Sequence, residues 1–588
     1  MKSFHDIVDT KILPHVKELC RRIYWEGDTM TLDGITCFPE GQDFLHGTVI
    51  SGFVQVMESL PKNTQEYKEW LAMTQTMIQK NSGKFMNTFG ILEFLLSIYE
   101  LKSMGVYQQI VDEDLEVVLK KNLHWNVFID EKTMRFKRPR ANNYYGVAYR
   151  IALLREFFEW DTQKTSSVLL DRLFEHVHTG PDGSIFMDES DDEGRYDKYS
   201  FTIASELCEL HGLTRSPLPD KLKQMLKQSM ATHMLLAGNQ GVGFTYGRSV
   251  GANATGAILE IMPLAMQYGL HDDLAFLHGI IMEAGKRMSE FWFNPKRGMF
   301  NLWDDGRRTD GYRGKHRILE VNLDMSLKMI RANKCLKALG WHKVKPCEEH
   351  VYQKKCAALP PYHMIPFQQN EYDRCLFIKR MVGRVVMLPV INGSRNWYDH
   401  VAYLPIPSSI DLMMGPANAR GMYMVPMIQM ADGKRIAPIV YSKHVEVKET
   451  SCGVVLTYMQ DELCVIDGHV PTKHLGIQDT ITYTFTNNYI ERIDQLHVDN
   501  PHRYVSIHIE LGVFDKCQLT DSHMVNDVVV FEDGNLSNIT FEGIAVTAVE
   551  DVADDDDYHT PCKPLQTRII CHKKLDDKSI RILTRINF

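Results

Sequence analysis

Two different spacings of apolar residues divide this chain. From residue 1 to about 345 the apolar positions return every three to four residues, in stretches of helical length joined by short polar or glycine-containing loops. "TVISGFVQVMESL", "TFGILEFLLSIYEL", "YYGVAYRIALLREFFEW", "SVLLDRLFEHV", "YSFTIASELCELHGL", "GAILEIMPLAMQYGL" and "DDLAFLHGIIMEAGKRMSEFWF" carry the pattern most clearly. Short loops make neighbouring helices antiparallel, so the pattern predicts a stack of helical hairpins that either bends into a solenoid or closes into a ring. No fixed-length repeat is visible, which favours the ring.

After about Pro360 the apolar residues alternate or gather in β-branched runs such as "GRVVMLPVI", "GVVLTYM", "TITYTFTN" and "YVSIHIELGVF", with Asp-Gly turn signals at Asp432, Asp467 and Asp533. This is strand spacing, and it predicts an antiparallel β-sandwich. The expected fold class is α+β multidomain. An N-terminal (α/α) toroid of helical hairpins covers 1–345, a linker with Pro360 and Pro361 covers 346–369, and a C-terminal antiparallel β-sandwich covers 370–588.

Composition narrows the function classes. With 44% apolar and 24% charged residues over 588 positions, the chain is globular rather than disordered. A formal charge of −9 argues against a nucleic-acid partner held by a general basic field, so any anionic ligand must meet a local patch. The twelve cysteines include no C-x-x-C pair, so buried thiols are expected rather than a zinc knuckle or redox motif, and no metal or cofactor is expected. "MKSFHDIVDTKILPHVKELCRRIYW" reads as an amphipathic helix and not as a signal peptide, and no apolar run is long enough to span a bilayer. A cytoplasmic address without a membrane partner is the expectation; the oligomeric state stays open. The acidic run Asp554 to Asp557 lacks the glycine and alternation of a calcium loop and reads as a solvated turn.

Four stretches of the helical half hold polar residues that a packing helix does not need. In "ARANNYYGVAYRIALLREFF", Asn142 is a good N-cap; Asn143 is then left over, since one residue suffices to cap, and Tyr144 follows it. The long loop "HVHTGPDGSIFMDESDDEGRYDKYSFTIASEL" sets Asp188, Glu189, Asp197 and further acids around Arg195, Tyr196 and Tyr199. Tyr196 and Tyr199 lie three apart where a helix starts, a spacing that places both hydroxyls on one side. Tyr196, beside Arg195, is the better candidate for a lowered phenol pKa, and Tyr199 is as readily a packing residue.

In "FTYGRSVGANATGAILEIMPLAM", Tyr246 and Arg248 stand at the mouth of a helix that already carries positive charge there. Arg248 therefore calls for either a bound anion or a nearby carboxylate. "FNPKRGMFNLWDDGRRTDGYRGKHRILEVN" has seven Lys or Arg between Lys296 and Arg317 against three Asp. With Trp303 interleaved, Arg307, Arg308, Arg313 and His316 suit an anionic sugar polymer, rings stacking on pyranose faces and cations meeting carboxylate or sulfate. A salt-bridge network within the loop serves equally well.

Taken in order, "NNYY" at a helix start, "DGS…GRYDKYS" in the next loop and "YGRS" before a later helix resemble the toroid-plus-sandwich polysaccharide lyases. The chondroitin and hyaluronate lyase family, with its Asn-Trp-Trp, Asp-Gly-Ser-Phe and Gly-Arg-Ser segments, is the nearest comparison. Heparinase II/III-like proteins and a bacterial and fungal group of toroid proteins are similar in the same way. The motifs cover residues 140 to 255. The resemblance implies an incomplete (α/α) toroid followed by antiparallel sheets, and β-elimination on a uronic-acid polysaccharide.

That reaction needs a hydrogen-bonded substrate carboxylate, a base for the neighbouring proton and an acid for the departing oxygen. By position the resemblance gives Asn143 to the carboxylate, Tyr196 or Tyr199 to base and acid, and Arg248 to the substrate or the tyrosinate. Asn142, Tyr144, Tyr246, Trp303, Arg307, Arg308, Arg313 and His316 would then line the substrate.

One position departs from the family. Where these lyases carry a His shortly after Asp-Gly-Ser, this chain has "FMDES", placing Asp188 or Glu189 there, and an ionised acid would repel a uronate. Three consequences are open. A His arrives from elsewhere, with His178, His316 and His400 as candidates and "SRNWYDHVAYLPIPSS" around His400 as a segment able to reach back to the toroid; the tyrosine acts alone; or the chain is no lyase. In the last case Asp188 and Glu189 serve a glycoside hydrolase, or the fold is a non-catalytic glycan-binding protein.

Overall fold

The computed structural model describes residues 2–36, 44–189, 194–302, 307, 318–393, 403–416, 423–466, 470–473, 475–517, 524–525, 527–531 and 534–588. In chain order its helices are α1 (Phe4–Ile7), α2 (Leu13–Arg21), α3 (Leu45–Ser59), α4 (Gln65–Asn81), α5 (Thr88–Ser103), α6 (Tyr107–Ile110), α7 (Glu113–Asn122), α8 (Asn143–Phe157), α9 (Thr165–Phe174) and α10 (Tyr199–Thr214). They continue with α11 (Asp220–Leu235), α12 (Ala252–Gln267), α13 (Leu274–Lys286), α14 (Ile318–Ala338) and α15 (Glu349–Ala357).

Six of them form an inner ring. Helices α3, α5, α8, α10, α12 and α14 each pack on the next, and α14 returns to α3, so this inner circuit is complete where the resemblance implied an open one. Helices α4, α9, α11 and α13 pack outside, each on the inner helix before it. Burial along the sequence separates the two layers. In α8 the run Tyr145 to Ala152 is buried without a break, as a helix enclosed on all sides requires. In α4 only one stripe, with Tyr67, Trp70, Thr74, Met77 and Ile78, is covered. Where α3 meets α5, a Cβ on Gly47 would stand 1.9 Å from the Gly90 carbonyl oxygen, so only glycine permits the crossing. The starts of α8, α10 and α12 come together at one end of the ring, since Asn142 and Arg248 both reach Glu189 and Tyr199 reaches Ser249.

The segment expected as linker carries α15 and the strand Tyr362–Gln368, which joins Arg374–Met381 and Arg384–Val390 in a three-stranded antiparallel sheet. Beyond it, antiparallel sheets of seven and eight strands share one apolar core. Burial alternates residue by residue along Gly453–Gln460, the signature of a strand with one face inward. Asp432 and Gly433 make the hairpin turn expected of them between Met427–Met430 and Arg435–Ala437; Asp467 and Asp533 lie outside the described residues. The acidic run holds a short turn, Asp556–Tyr558, started by the Asp555 side chain accepting the Asp557 N–H. Among the described residues the cysteines are free thiols, and no helix is long and apolar enough to cross a membrane.

The sandwich core does not stop at the domain boundary. Phe186, Tyr196, Phe201, Phe244 and Tyr246 of the helical half belong to it, packed with Phe367 and Tyr403. This shared wall holds the ends of α10 and α12 where the polar motifs lie.

Candidate functional site

A single buried carboxylate organises the motifs. Asp197, with no exposed surface, accepts the Tyr199 N–H at 2.8 Å through one oxygen. Its other oxygen accepts the Arg248 N–H at 3.1 Å and the Tyr403 hydroxyl at 2.6 Å. The start of α10, the turn before α12 and the sandwich are thereby tied to one side chain. The approach is so close that a Cβ on Gly247, whose φ is +83°, would lie 2.6 Å from Asp197 Cβ. Ser249 holds a left-handed φ of +51°, and its hydroxyl oxygen accepts the Tyr199 hydroxyl at 2.9 Å. Such conformations in bulkier residues store strain and persist only where surroundings fix them.

Tyr199 is half-buried, and cations stand against its ring: Lys198 Nζ lies 3.7 Å and the Arg248 guanidinium carbon 4.7 Å from the centroid. Arg248 also reaches Glu189, with Nη2 2.8 Å from Oε1. Of the two partners its position called for, the carboxylate is present. Burial pushes the Glu189 carboxyl up to about 8 against the downward pull of Arg248, and nearby Asp197 and Asp188 push the same way. Burial thus favours the protonated form of Glu189, in the place where an ionised acid would repel a uronate.

Asn142 does not cap α8. Its backbone is already helical, so the side chain cannot fold back on the first-turn N–H groups; Nδ2 donates instead to the Asp188 carbonyl at 2.9 Å, and its N–H to the Glu189 carbonyl. It is a cross-link that seats Glu189. Asn143 begins α8, is 3% exposed, and its Oδ1 has no hydrogen-bond partner among the described residues. Tyr144 is half-buried against Phe89, with the Arg140 guanidinium over its ring.

The expectation that Tyr196 and Tyr199 share a side is corrected. Helix α10 starts only at Tyr199, so helical spacing does not apply to Tyr196, which is 1% exposed and stacked on Phe367 at 4.4 Å. Tyr246 is likewise enclosed, its hydroxyl donated to the Tyr196 carbonyl at 2.7 Å, and offers no surface to a substrate. Arg307 is 5% exposed, donates to the Phe291 carbonyl at 2.9 Å and pairs with Thr560 of the sandwich, which makes it an anchor and not a substrate contact. Asp188 is buried and accepts the Gly194 N–H at 2.9 Å. His178 is exposed on the short strand Val177–Thr179. Trp303, Arg308, Arg313, His316 and His400 lie outside the described residues.

Asp197, Ser249 and Tyr403 are the members that the motif reading did not single out. Asp197 was one acid among seven in its loop, and nothing in spacing marks it. Tyr403 had a signal, since it lies in the segment noted as able to reach the toroid.

The sequence matches no protein-family model and no curated protein. Solved structures are similar over the whole length. A mutant of the Streptomyces coelicolor A3 chondroitin AC lyase aligns at a TM-score of 0.50 and 8% identity, over 99% of this chain and 79% of that one. The same lyase in complex with chondroitin sulphate aligns at 0.50 and 9%, with the same coverage. This chain has the toroid-plus-sandwich fold of the polysaccharide lyases. A Paenibacillus xanthan lyase is similar more distantly, at 0.46 and 8% identity over 99% of this chain and 56% of that one. At such identities the likeness concerns the fold, and function rests on the site. Among the described residues no three His, Cys, Asp or Glu side chains converge to hold a metal. The site offers a phenol, two cations, a buried carboxyl with a raised pKa and an amide.

Proposed function

We propose that the protein is a carbohydrate-active lyase that cleaves a uronic-acid polysaccharide by β-elimination, with Tyr199 as the proton-transferring residue. The observation that carries this reading is the setting of the Tyr199 hydroxyl: fixed on Ser249 at the mouth of α10, with Lys198 and Arg248 against the ring. Cations so placed stabilise negative charge on the phenol oxygen as it loses its proton. The phenolate takes the proton next to the uronate carboxylate, the bond to the leaving glycosidic oxygen breaks as the sugar double bond forms, and the phenol returns the proton to that oxygen.

Arg248 and the Asn143 amide hold the substrate carboxylate, and uncharged Glu189 lets it approach. Tyr199 fills the role that the tyrosine motif suggested more readily for Tyr196, because only Tyr199 keeps an accessible edge. The hydrolase reading is weaker, since Asp188 is enclosed and committed to Gly194.

The test is ultraviolet absorbance from unsaturated uronate while the protein is incubated with a panel of uronate polymers. Tyr199→Phe should lower that rate by about 10²- to 10⁴-fold, the span of general acid–base catalysis. Reducing ends without absorbance would mean hydrolysis instead, and binding with neither signal a glycan-binding protein.

A further inference from the structure

The ring of inner helices surrounds a cavity of about 290 Å³, at the small end of ligand pockets. It lies deeper than the candidate site: Arg150 and Glu206 on its wall follow Asn143 and Tyr199 by seven residues on the same helices, about 10 Å along the axis. It runs on to Leu213 and Gln267, in the last turns of α10 and α12, where helix carbonyls concentrate negative charge.

Among the described residues six carboxylates face this bore against four cations. Arg331 holds Glu93 at 3.0 Å, and Arg150 divides between Glu206 at 3.1 Å and Glu209 at 3.3 Å. Lys328 meets Glu260, and Lys334 meets Glu100 at 2.9 Å. Asp324 accepts no hydrogen bond from the described residues, though it faces the same Lys328. Independent of this charge excess, two side chains on the wall keep unpaired polar atoms. Gln55, 3% exposed, has no partner for Oε1 among the described residues, and Arg150, 4% exposed, has none among them for Nε. A buried acceptor and a buried donor left open each cost free energy unless a ligand meets them.

These demands select a ligand chemistry. A metal ion is disfavoured because no three ligating side chains converge among the described residues. A bare polyamine supplies donors for Gln55 and charge for Asp324, but no acceptor for Arg150 Nε. We propose that the bore binds a hydroxylated organic amine of the amino-sugar class, its ammonium facing Asp324 and its hydroxyls meeting Gln55 Oε1 and Arg150 Nε. Burial raises the Asp324 and Glu206 carboxyls, a desolvation cost that an ammonium facing them offsets.

Titration calorimetry of the full chain with glucosamine, beside glucose as the analogue without the ammonium, tests this. Glucosamine should bind one to one and glucose should not. Asp324→Asn and Gln55→Leu should each weaken glucosamine by about tenfold or more, while Tyr199→Phe leaves binding unchanged. Absence of glucosamine binding, equal binding of glucose, or wild-type affinity in both bore variants would overturn the proposal. The comparison of the two sugars on the unmodified chain needs no variant to fold.

Discussion

At the scale of single residues, Glu189 has the most measurable behaviour. An unfolded glutamate titrates near 4.5, whereas in the folded chain Glu189 keeps its proton up to about 8. Between those values the native state binds a proton that the unfolded state does not, so the Glu189 contribution makes stability fall as pH rises through the window. Glutamine cannot ionise. The melting temperature of Glu189→Gln relative to the parent should therefore climb from about pH 5 to about pH 8 and level off above it. A difference that stays flat across that window would mean an ordinary ion-paired carboxylate. In an assay of the proposed β-elimination the same titration should raise KM above about pH 8 in the parent and leave the variant flat.

Which tyrosine keeps an accessible edge was not legible from the sequence. Three-residue spacing assumes that a helix contains both residues, and α10 begins only at Tyr199, three residues after Tyr196. The carboxylate partner of Arg248 was legible as one of two alternatives. The cross-link made by Asn142 was not, since its identity and position suit a cap equally well.

At the scale of elements, helices and strands followed the two spacings closely because inner and outer helices and two-faced strands impose different periods on their side chains. What spacing does not encode is which helices meet. The return of α14 to α3 depends on contacts more than two hundred residues apart, and no local pattern records it. The turn before α12 is the element on which the site depends most. Gly247→Ala places a methyl against Asp197 and forces a left-handed φ on a residue that resists it, a cost of about 1–3 kcal/mol for the backbone alone. Denaturant unfolding should show that loss. Activity should fall further than stability explains, because Asp197 also sets the Tyr199 and Arg248 backbones.

At the scale of the whole molecule, the site belongs to neither half. Tyr403→Phe removes one neutral donor from a buried carboxylate, worth about 1.5–3 kcal/mol for a hydrogen bond to a charged group. The substitution lies in the sandwich, yet the expected damage is catalytic: kcat should drop with the helical half still folded by circular dichroism. An unchanged kcat would mean that Asp197 is held well enough from the helical side alone.

The Tyr403 hydroxyl also works as a latch. Any motion that swings the sandwich off the ring withdraws it from Asp197, and with it one of the three donors that hold the carboxylate beneath Tyr199 and Arg248. Parting the two halves and loosening the Asp197 carboxylate would then be one event.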